Sequence, residues 1–311
     1  MKSNDKPNFY QNGGKAHPHF CSDDLRPELC VSPWAGHRNF AYDLVSFVKP
    51  HRIVELGTHY GCSFFAFLQA SKDGGLNTEH IAVDTWVGDD HAGHYSEEVF
   101  EFFNKTLQSL FESQRVLVLR KTFDDALEYI SDGSVDLLHI DGFHSHEAVS
   151  HDYRMWLPKL ADNGIVLFHD VAPSSGYGSS VFWNNVKNNI PHFEFLEHSF
   201  GLGILFPKGS DKYSVLARHL NSDTLDLYRF KAEYELKNIQ LSDAGHTLES
   251  RWAAMQSMEA LIRERDEVIA GQARMLEERW AAMQSMEALI RERDATIIEQ
   301  RQLIEKRAIT I

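Results

Sequence analysis

Three short segments hold the side chains that could do chemistry. The first is VELGTHYG, Val54–Gly61. A glycine directly after an apolar run lets the chain turn sharply and lets a ligand approach the backbone. The spacing is acid-x-Gly-x-x-x-Gly, carried by Glu55, Gly57 and Gly61. A dinucleotide site needs Gly-x-Gly-x-x-Gly, which seats a pyrophosphate on a helix N-terminus. His59 stands where the second glycine of that fingerprint belongs, so the fingerprint fails. A carboxylate at Glu55 repels phosphate and suits a ligand ammonium. S-adenosylmethionine has a sulfonium and an amino group and no phosphate. The second segment, HIAVDTW, places Asp84 at the end of the next apolar run, 29 residues after Glu55 and about one βαβ repeat further on. A carboxylate there can accept both ribose hydroxyls. Each motif alone is also compatible with a plain strand-to-helix turn or a loop acid. Together they point to a nucleoside site at the C-terminal edge of a sheet.

The third constellation is HIDGFH, His139–His144, with FHD, Phe168–Asp170. Both follow apolar runs. Adjacent parallel strands would bring Asp141 and Asp170 to one sheet edge. Two carboxylates with His169 beside them can hold a hard divalent cation such as Mg2+, with open positions for a substrate hydroxyl. His144, three residues past Asp141, can take the hydroxyl proton. A sugar hydroxyl is a poor nucleophile until it is metal-bound or deprotonated, so both devices serve the same end. Helix capping and loop hydrogen bonding are the competing roles for these residues, and for His169 the two stand level. The polar stretch Gly88–Tyr95, with Asp89, Asp90, His91 and His94, is compatible with a substrate lid and with a solvated loop.

The elements that must position these groups follow from the hydropathy pattern. Short apolar runs lie at Arg52–Leu56, His80–Val83, Arg115–Leu119, Val135–Ile140 and Ile165–Phe168. Helical spacing lies between them at Ser63–Ser71, Glu97–Phe111, Phe123–Ile130 and His146–Leu157. Such alternation predicts an α/β fold with a mostly parallel, Rossmann-like sheet covered on both faces. Phe193–Leu196 and Leu202–Phe206 have no full helix between them and predict an antiparallel hairpin at one sheet edge. Upstream, helical spacing through Phe40, Leu44, Val45 and Val48 ends at Lys49-Pro50. The expected organisation is a loosely packed arm over 1–30, an α/β domain over 31–210 and a helical linker over 211–245. The linker is expected to break at Asp243-Ala244-Gly245.

Beyond the linker, over 246–311, the segment RWAAMQSMEALIRERD occurs at Arg251–Asp266 and again at Arg279–Asp294. The offset of 28 residues is four heptads, so the repeat preserves register. One heptad row reads Leu248, Met255, Ile262, Ile269, Leu276, Met283, Ile290, Ile297 and Ile304. That row predicts a long C-terminal coiled coil and a homo-oligomer. A mixed second seam row, Trp252, Glu259, Asp266 and Ala273, leaves dimer and trimer both open.

The net charge of −14 repels phosphate backbones and anionic lipid, so nucleic acid is not an expected partner. Three cysteines, Cys21, Cys30 and Cys62, form no CxxC pair and suggest a reducing compartment. No stretch approaches the roughly 18 apolar residues that span a bilayer, and a cytoplasmic protein is expected.

From Trp34 to Phe206 the sequence resembles the class I S-adenosylmethionine-dependent methyltransferases of bacterial polysaccharide gene clusters. The carrying stretches are ELGTHYGCSF, AVDTWVGDDHAGHY, LLHIDGFHSHEAVSHDYRMWLPKL and GIVLFHD. In its DGxH and xHD elements it is also similar to metal-dependent sugar O-methyltransferases, with His169 where those enzymes place a Glu. The resemblance implies a cofactor site of Glu55, Gly57, Thr58, Tyr60, Gly61, Ser63, Asp84, Thr122 and Phe123, the last two flanking the adenine. It implies Asp141, Asp170 and His169 around a divalent cation, with His144 as general base beside Asp141. The implied acceptor is a sugar hydroxyl of a surface polysaccharide or glycan precursor, and a glycosyltransferase is an implied partner. Methylation of a terminal phosphate and a catalytically degenerate coiled-coil scaffold are the alternatives.

Overall fold

The computed structural model describes residues 18–25, 32–89 and 93–308, except the side chains of 89, 307 and 308. Cys30, Asp90, His91 and most of the N-terminal arm lie outside the described residues. The chain divides into two compact units, Met1–Asp243 and Ala244–Ile311.

The first unit is built on a seven-stranded sheet. Its strands are β1 (Arg52–Leu56), β2 (Glu79–Asp84), β5 (Arg115–Arg120), β6 (Val135–Ile140), β7 (Leu160–His169), β8 (His192–Phe195) and β9 (Leu202–Leu205). The order is β5-β2-β1-β6-β7-β9-β8. All pairings are parallel except β7 with β9 and β9 with β8, the expected edge hairpin. A second hairpin, β3 (Gly88–Asp89) with β4 (Gly93–His94), stands apart. The strand order reverses between β1 and β6. Open sheets of this kind collect their ligands in the crevice at such a reversal, beyond the carboxyl ends of the strands.

Both faces of the sheet are covered, as near-continuous apolar strands require. On one face Val54, Leu56, Leu138, Ile140, Val166 and Phe168 pack against α5 (His146–Trp156) and α6 (Gly178–Val186) through Tyr153, Trp156, Phe182 and Trp183. On the other, Ile53, Leu137, Ile165, Leu167 and Ile204 meet α1 (Arg38–Val48) and α2 (Cys62–Asp73) through Phe40, Leu44, Val45 and Phe67. A third cluster joins α2 to α3 (Glu97–Phe111) around Trp86. The helix expected at Phe123–Ile130 is a short α4 (Phe123–Ala126) continued by a 3-10 turn.

Three expectations are corrected. Part of the arm is well packed. Phe20 is buried, stands edge-on to Tyr42 and lies under the Arg38 guanidinium. The helical stretch after residue 210 is interrupted, with a short α7 (Asp211–Leu216), a turn that buries Leu220, and then α8 (Ser222–Ala308). Conversely, α8 runs unbroken through Asp243-Ala244-Gly245. A single glycine costs a helix only about 1 kcal/mol, too little to end a long one. In the first unit α8 is tied to α1 by a hydrogen bond from Tyr228 Oη to Asp43 and by the Arg38–Glu235 ion pair.

Candidate active site

The turn from β1 into α2 is shaped by two glycines. Gly57 has φ +89°, and a Cβ there would lie 2.0 Å from the carbonyl oxygen of Asp141. The close approach is locked from both sides. The Asp141 amide donates to the Leu56 carbonyl, and the Gly57 amide donates to that of Val83. Gly61, at φ +88°, caps α2, and its missing Cβ leaves room for the Phe65 ring. Asp84, at the end of β2, holds this turn from below. One oxygen accepts the amides of Thr58 and His59, each at 2.9 Å, and the other accepts that of Trp86 at 2.7 Å. Accepting three backbone N–H groups organises the loop and leaves about one of the four acceptor sites of a carboxylate that lines the crevice.

A cavity of about 580 Å³ opens over this turn. Gly57, Thr58, Tyr60, Ser63, Asp84, Thr122, Phe123, Asp141, His144 and His169 all line it. Thr122 caps α4 by accepting the Asp125 amide, and this holds Phe123 over Gly142. The volume is that of a small-molecule cofactor site. A glycine cradle, a carboxylate and an aromatic ring fit a nucleoside with a positively charged tail. Gly88 of β3 and Tyr95 just after β4 also line the cavity.

Glu55 is not in the cavity wall, contrary to the expectation of an ammonium contact. It faces inward from β1 on the side of Ile53 and is fully buried. The register sets His139 of β6 directly beside it. His139 Nδ1 donates to Glu55 Oε1 at 2.9 Å, and Ser63 Oγ donates to the same oxygen. His139 Nε2 in turn accepts from Trp34 Nε1 at 3.1 Å, which fixes the tautomer. Burial pushes the Glu55 carboxyl above its ordinary range, against the hydrogen bonds from His139 and Ser63. Glu55 therefore props the wall from behind, and Trp34, unassigned in the sequence, forms part of that wall. Only the Ser-Pro pair at 32–33 hints at this segment. Ser32 accepts the Trp34 amide, a helix-start signature.

The ends of β6 and β7 bring Asp141, His144, His169 and Asp170 together. His144 Nε2 lies 2.9 Å from Asp170 Oδ2 and 3.9 Å from Asp141 Oδ1. His169 Nδ1 lies 3.2 Å from Asp141 Oδ1 and 3.2 Å from Asp170 Oδ2. Its Nε2 lies 2.8 Å from the Ser199 carbonyl. All three partners of the His169 ring are acceptors, an arrangement that favours a proton on both nitrogens. Burial opposes that charge, but the Asp141 and Asp170 carboxylates outweigh it and push the ring up to about 10. Burial likewise opposes ionisation of the two carboxyls; His169 holds Asp141 below the usual range, and His144 with His169 does the same for Asp170. For His144, burial is outweighed by Asp170, and the net direction is upward. Asp170 adopts this position at φ +60°, a strained conformation for a non-glycine residue and one typical of functional sites.

His169 Nε2 faces the Ser199 carbonyl and Nδ1 faces the Asp141 and Asp170 carboxylates, so a neutral ring would offer Nδ1 to a cation and a protonated ring would not. Among the described residues, the set that offers ligand atoms within 4.8 Å of one another is Asp141, His144 and Asp170. Two carboxylates and an imidazole fit a divalent cation by donor type.

Residues 54–171 match the family described as "Methyltransferase domain". The chain is 46% identical over 176 residues to the uncharacterized protein y4gI of Sinorhizobium fredii, covering 56% of this chain and 19% of the relative. The chain thus spans about a fifth of that relative's length. Among solved structures it is similar to the SAH-bound methyltransferase PaMTH1 of Podospora anserina, with TM-score 0.47, 16% identity, and coverage of 61% of this chain and 88% of that one. The O-methyltransferase TomG of Streptomyces achromogenes gives TM-score 0.44 and 13% identity, over 67% of this chain and 100% of its own.

Proposed function

We propose that the chain is an S-adenosylmethionine-dependent O-methyltransferase whose acceptor is a sugar hydroxyl of a surface polysaccharide or its precursor. One observation carries this reading. A single cavity joins the glycine turn, Asp84 and Phe123 to Asp141 and His144, with the buried Asp170 behind them. The cofactor would lie across Gly57–Gly61, with its ribose at Asp84 and its adenine beside Thr122 and Phe123. When bound it supplies an electrophilic methyl group. Asp141 orients the acceptor hydroxyl, and His144, whose Nε2–H is held by Asp170, takes its proton on the imidazole. Asp170 then holds the imidazolium. A proton on His169 offsets one of the two carboxylate charges and lessens, without cancelling, their repulsion of the developing alkoxide. Positioning supplies the rest of the rate.

The spacing of Asp141, His144 and Asp170 supports a second reading, in which these three hold a divalent cation. A bound cation would supply Lewis acidity to the hydroxyl. A cation held at Nε2 would strip the His144 ring of its basicity and of its hydrogen bond to Asp170, so the two readings exclude each other. Titration of the full-length protein with Mn2+ separates them. Stoichiometric binding that Asp141→Asn abolishes establishes the cation, and no binding leaves His144 as base.

Calorimetric titration of the full-length protein with S-adenosylhomocysteine and with NAD tests the cofactor. Micromolar binding of the first alone is expected. No binding of S-adenosylhomocysteine would sink the proposal. We also propose that the apolar row of α8 packs against a second copy of the chain.

A further inference from the structure

The turn between β8 and β9 has an unusual backbone. Ser199, Phe200 and Gly201 lie in succession at φ +52°, +58° and +87°. Only glycine adopts such angles freely, and a bulky aromatic residue there is a genuine outlier. The surroundings hold the turn in place. The Phe200 carbonyl accepts the Ala172 amide at 2.8 Å, and the Gly201 amide donates to the His198 carbonyl at 2.9 Å. The Ser199 carbonyl is turned inward to His169 Nε2.

What this backbone does for Phe200 is instructive. Its side chain gains no core burial, for it is 42% exposed. It stands 6.2 Å from the Tyr177 ring, at the N-terminus of α6. The Tyr177 ring in turn stands 4.8 Å from that of His144. Two aromatic residues from separate loops therefore form a run that ends on the proton-accepting histidine. Neither lines the cofactor cavity, whereas His144 does. An exposed aromatic residue on a strained turn beside a reactive cluster is better explained by a ligand than by the fold.

We propose that Tyr177 and Phe200 are the acceptor platform, and that they pack against the apolar C–H face of a neutral pyranose ring. This deepens the function proposed above and rests on it. The negative face of an aromatic ring attracts polarised C–H groups and offers rigid apolar area at little entropic cost. A hydroxyl group of the same sugar would find an acceptor in Asp141, which lines the cavity. Charge points to a neutral sugar. Among the described residues lining the cavity there is no Lys or Arg to balance a phosphate or carboxylate on the acceptor. The two carboxylates already present would repel either one.

Saturation-transfer NMR of the full-length protein, saturated with S-adenosylhomocysteine, tests this with a panel of methyl hexopyranosides, catechol and a hexose phosphate. A pyranoside is expected to receive saturation on the C–H groups of one ring face. Phe200→Ala and Tyr177→Ala should each weaken that binding at least fivefold, and Phe200→Tyr should keep it. S-adenosylhomocysteine affinity should be the same in all the variants. Phe200→Gly adds a readout that a structural role would not give. It removes the ring and relieves the backbone, so glycoside binding should fall while Tm holds or rises. A fall in Tm of several degrees would make Phe200 a packing residue and overturn the proposal. So would a pyranoside that binds Phe200→Ala as it binds wild type. Binding of S-adenosylhomocysteine with saturation reaching catechol or the phosphate but no pyranoside refutes the platform alone. Failure to bind S-adenosylhomocysteine removes the methyltransferase itself.

Discussion

At the scale of single residues, the charge state of His169 has consequences for both stability and rate. Folding raises its proton affinity, so a proton on the ring favours the native state. That contribution is full below the unfolded value of 6.5 and is lost as the pH rises through about 10. Urea unfolding at a series of pH values should therefore show stability declining across this window, and His169→Gln should flatten the decline. An unchanged slope in the variant would assign the loss to other groups. His144 has its own signature in the rate. Asp170 keeps its proton affinity above the ordinary histidine value. Methyl transfer should then fall as the pH drops through a midpoint above 6.5, because the base becomes protonated. Asp170→Asn should move that midpoint down and slow transfer by about 10²-fold or more. A midpoint unmoved by Asp170→Asn would take His144 out of the proton path.

At the scale of elements, the β1–α2 turn, the end of β2 and the start of the loop after β6 form one mechanical unit. Gly57 is its pivot. An alanine there would place a methyl 2.0 Å from backbone that Asp141 and Leu56 hold by a hydrogen bond. Gly57→Ala is expected to lose S-adenosylhomocysteine binding by calorimetry and to destabilise the fold by about 1–3 kcal/mol through strain at positive φ. Retained affinity would show that the turn can yield. Asp84 acts in the same unit through the amides of Thr58, His59 and Trp86. Its role in holding the loop comes in addition to the ribose contact expected from its position. Glu55, by contrast, belongs to the wall behind, with His139 and Trp34.

At the scale of the whole molecule, the second unit presents an apolar row that no other described residue of that unit covers. Leu248, Met255, Ile262, Ile269, Leu276, Met283 and Ile290 are each more than half exposed. So long a row on one helix face is unusual without a partner helix, and the four-heptad repeat lets a second copy meet it in register. Light scattering of the full chain should report an oligomer. Ile262→Asp with Ile290→Asp should yield monomers whose S-adenosylhomocysteine affinity is unchanged. A monomeric wild-type protein would refute the second copy as the partner of this face.

Much of the fold was legible in the residues themselves. Apolar runs alternating with amphipathic stretches leave few arrangements other than a parallel sheet, and β1 and β6 begin and end at the residues that the pattern marked. The clustering of Asp84, Asp141 and Asp170 was legible for the same reason, because parallel strands deliver their C-terminal residues to one edge. Local patterns could not place Glu55. Its direction depends on the pleat and on His139, 84 residues away. Nor could they show that His169 sits between two carboxylates and a backbone carbonyl, surroundings set by Asp141 and by Ser199, 30 residues downstream. The strain at Phe200 was hidden too, since φ there answers to a hydrogen bond from Ala172. By itself the sequence determined which groups reach the site, for that depends on periodicity and chain order. Tertiary structure alone decided which way they point and what charge they carry, because both depend on partners remote in sequence.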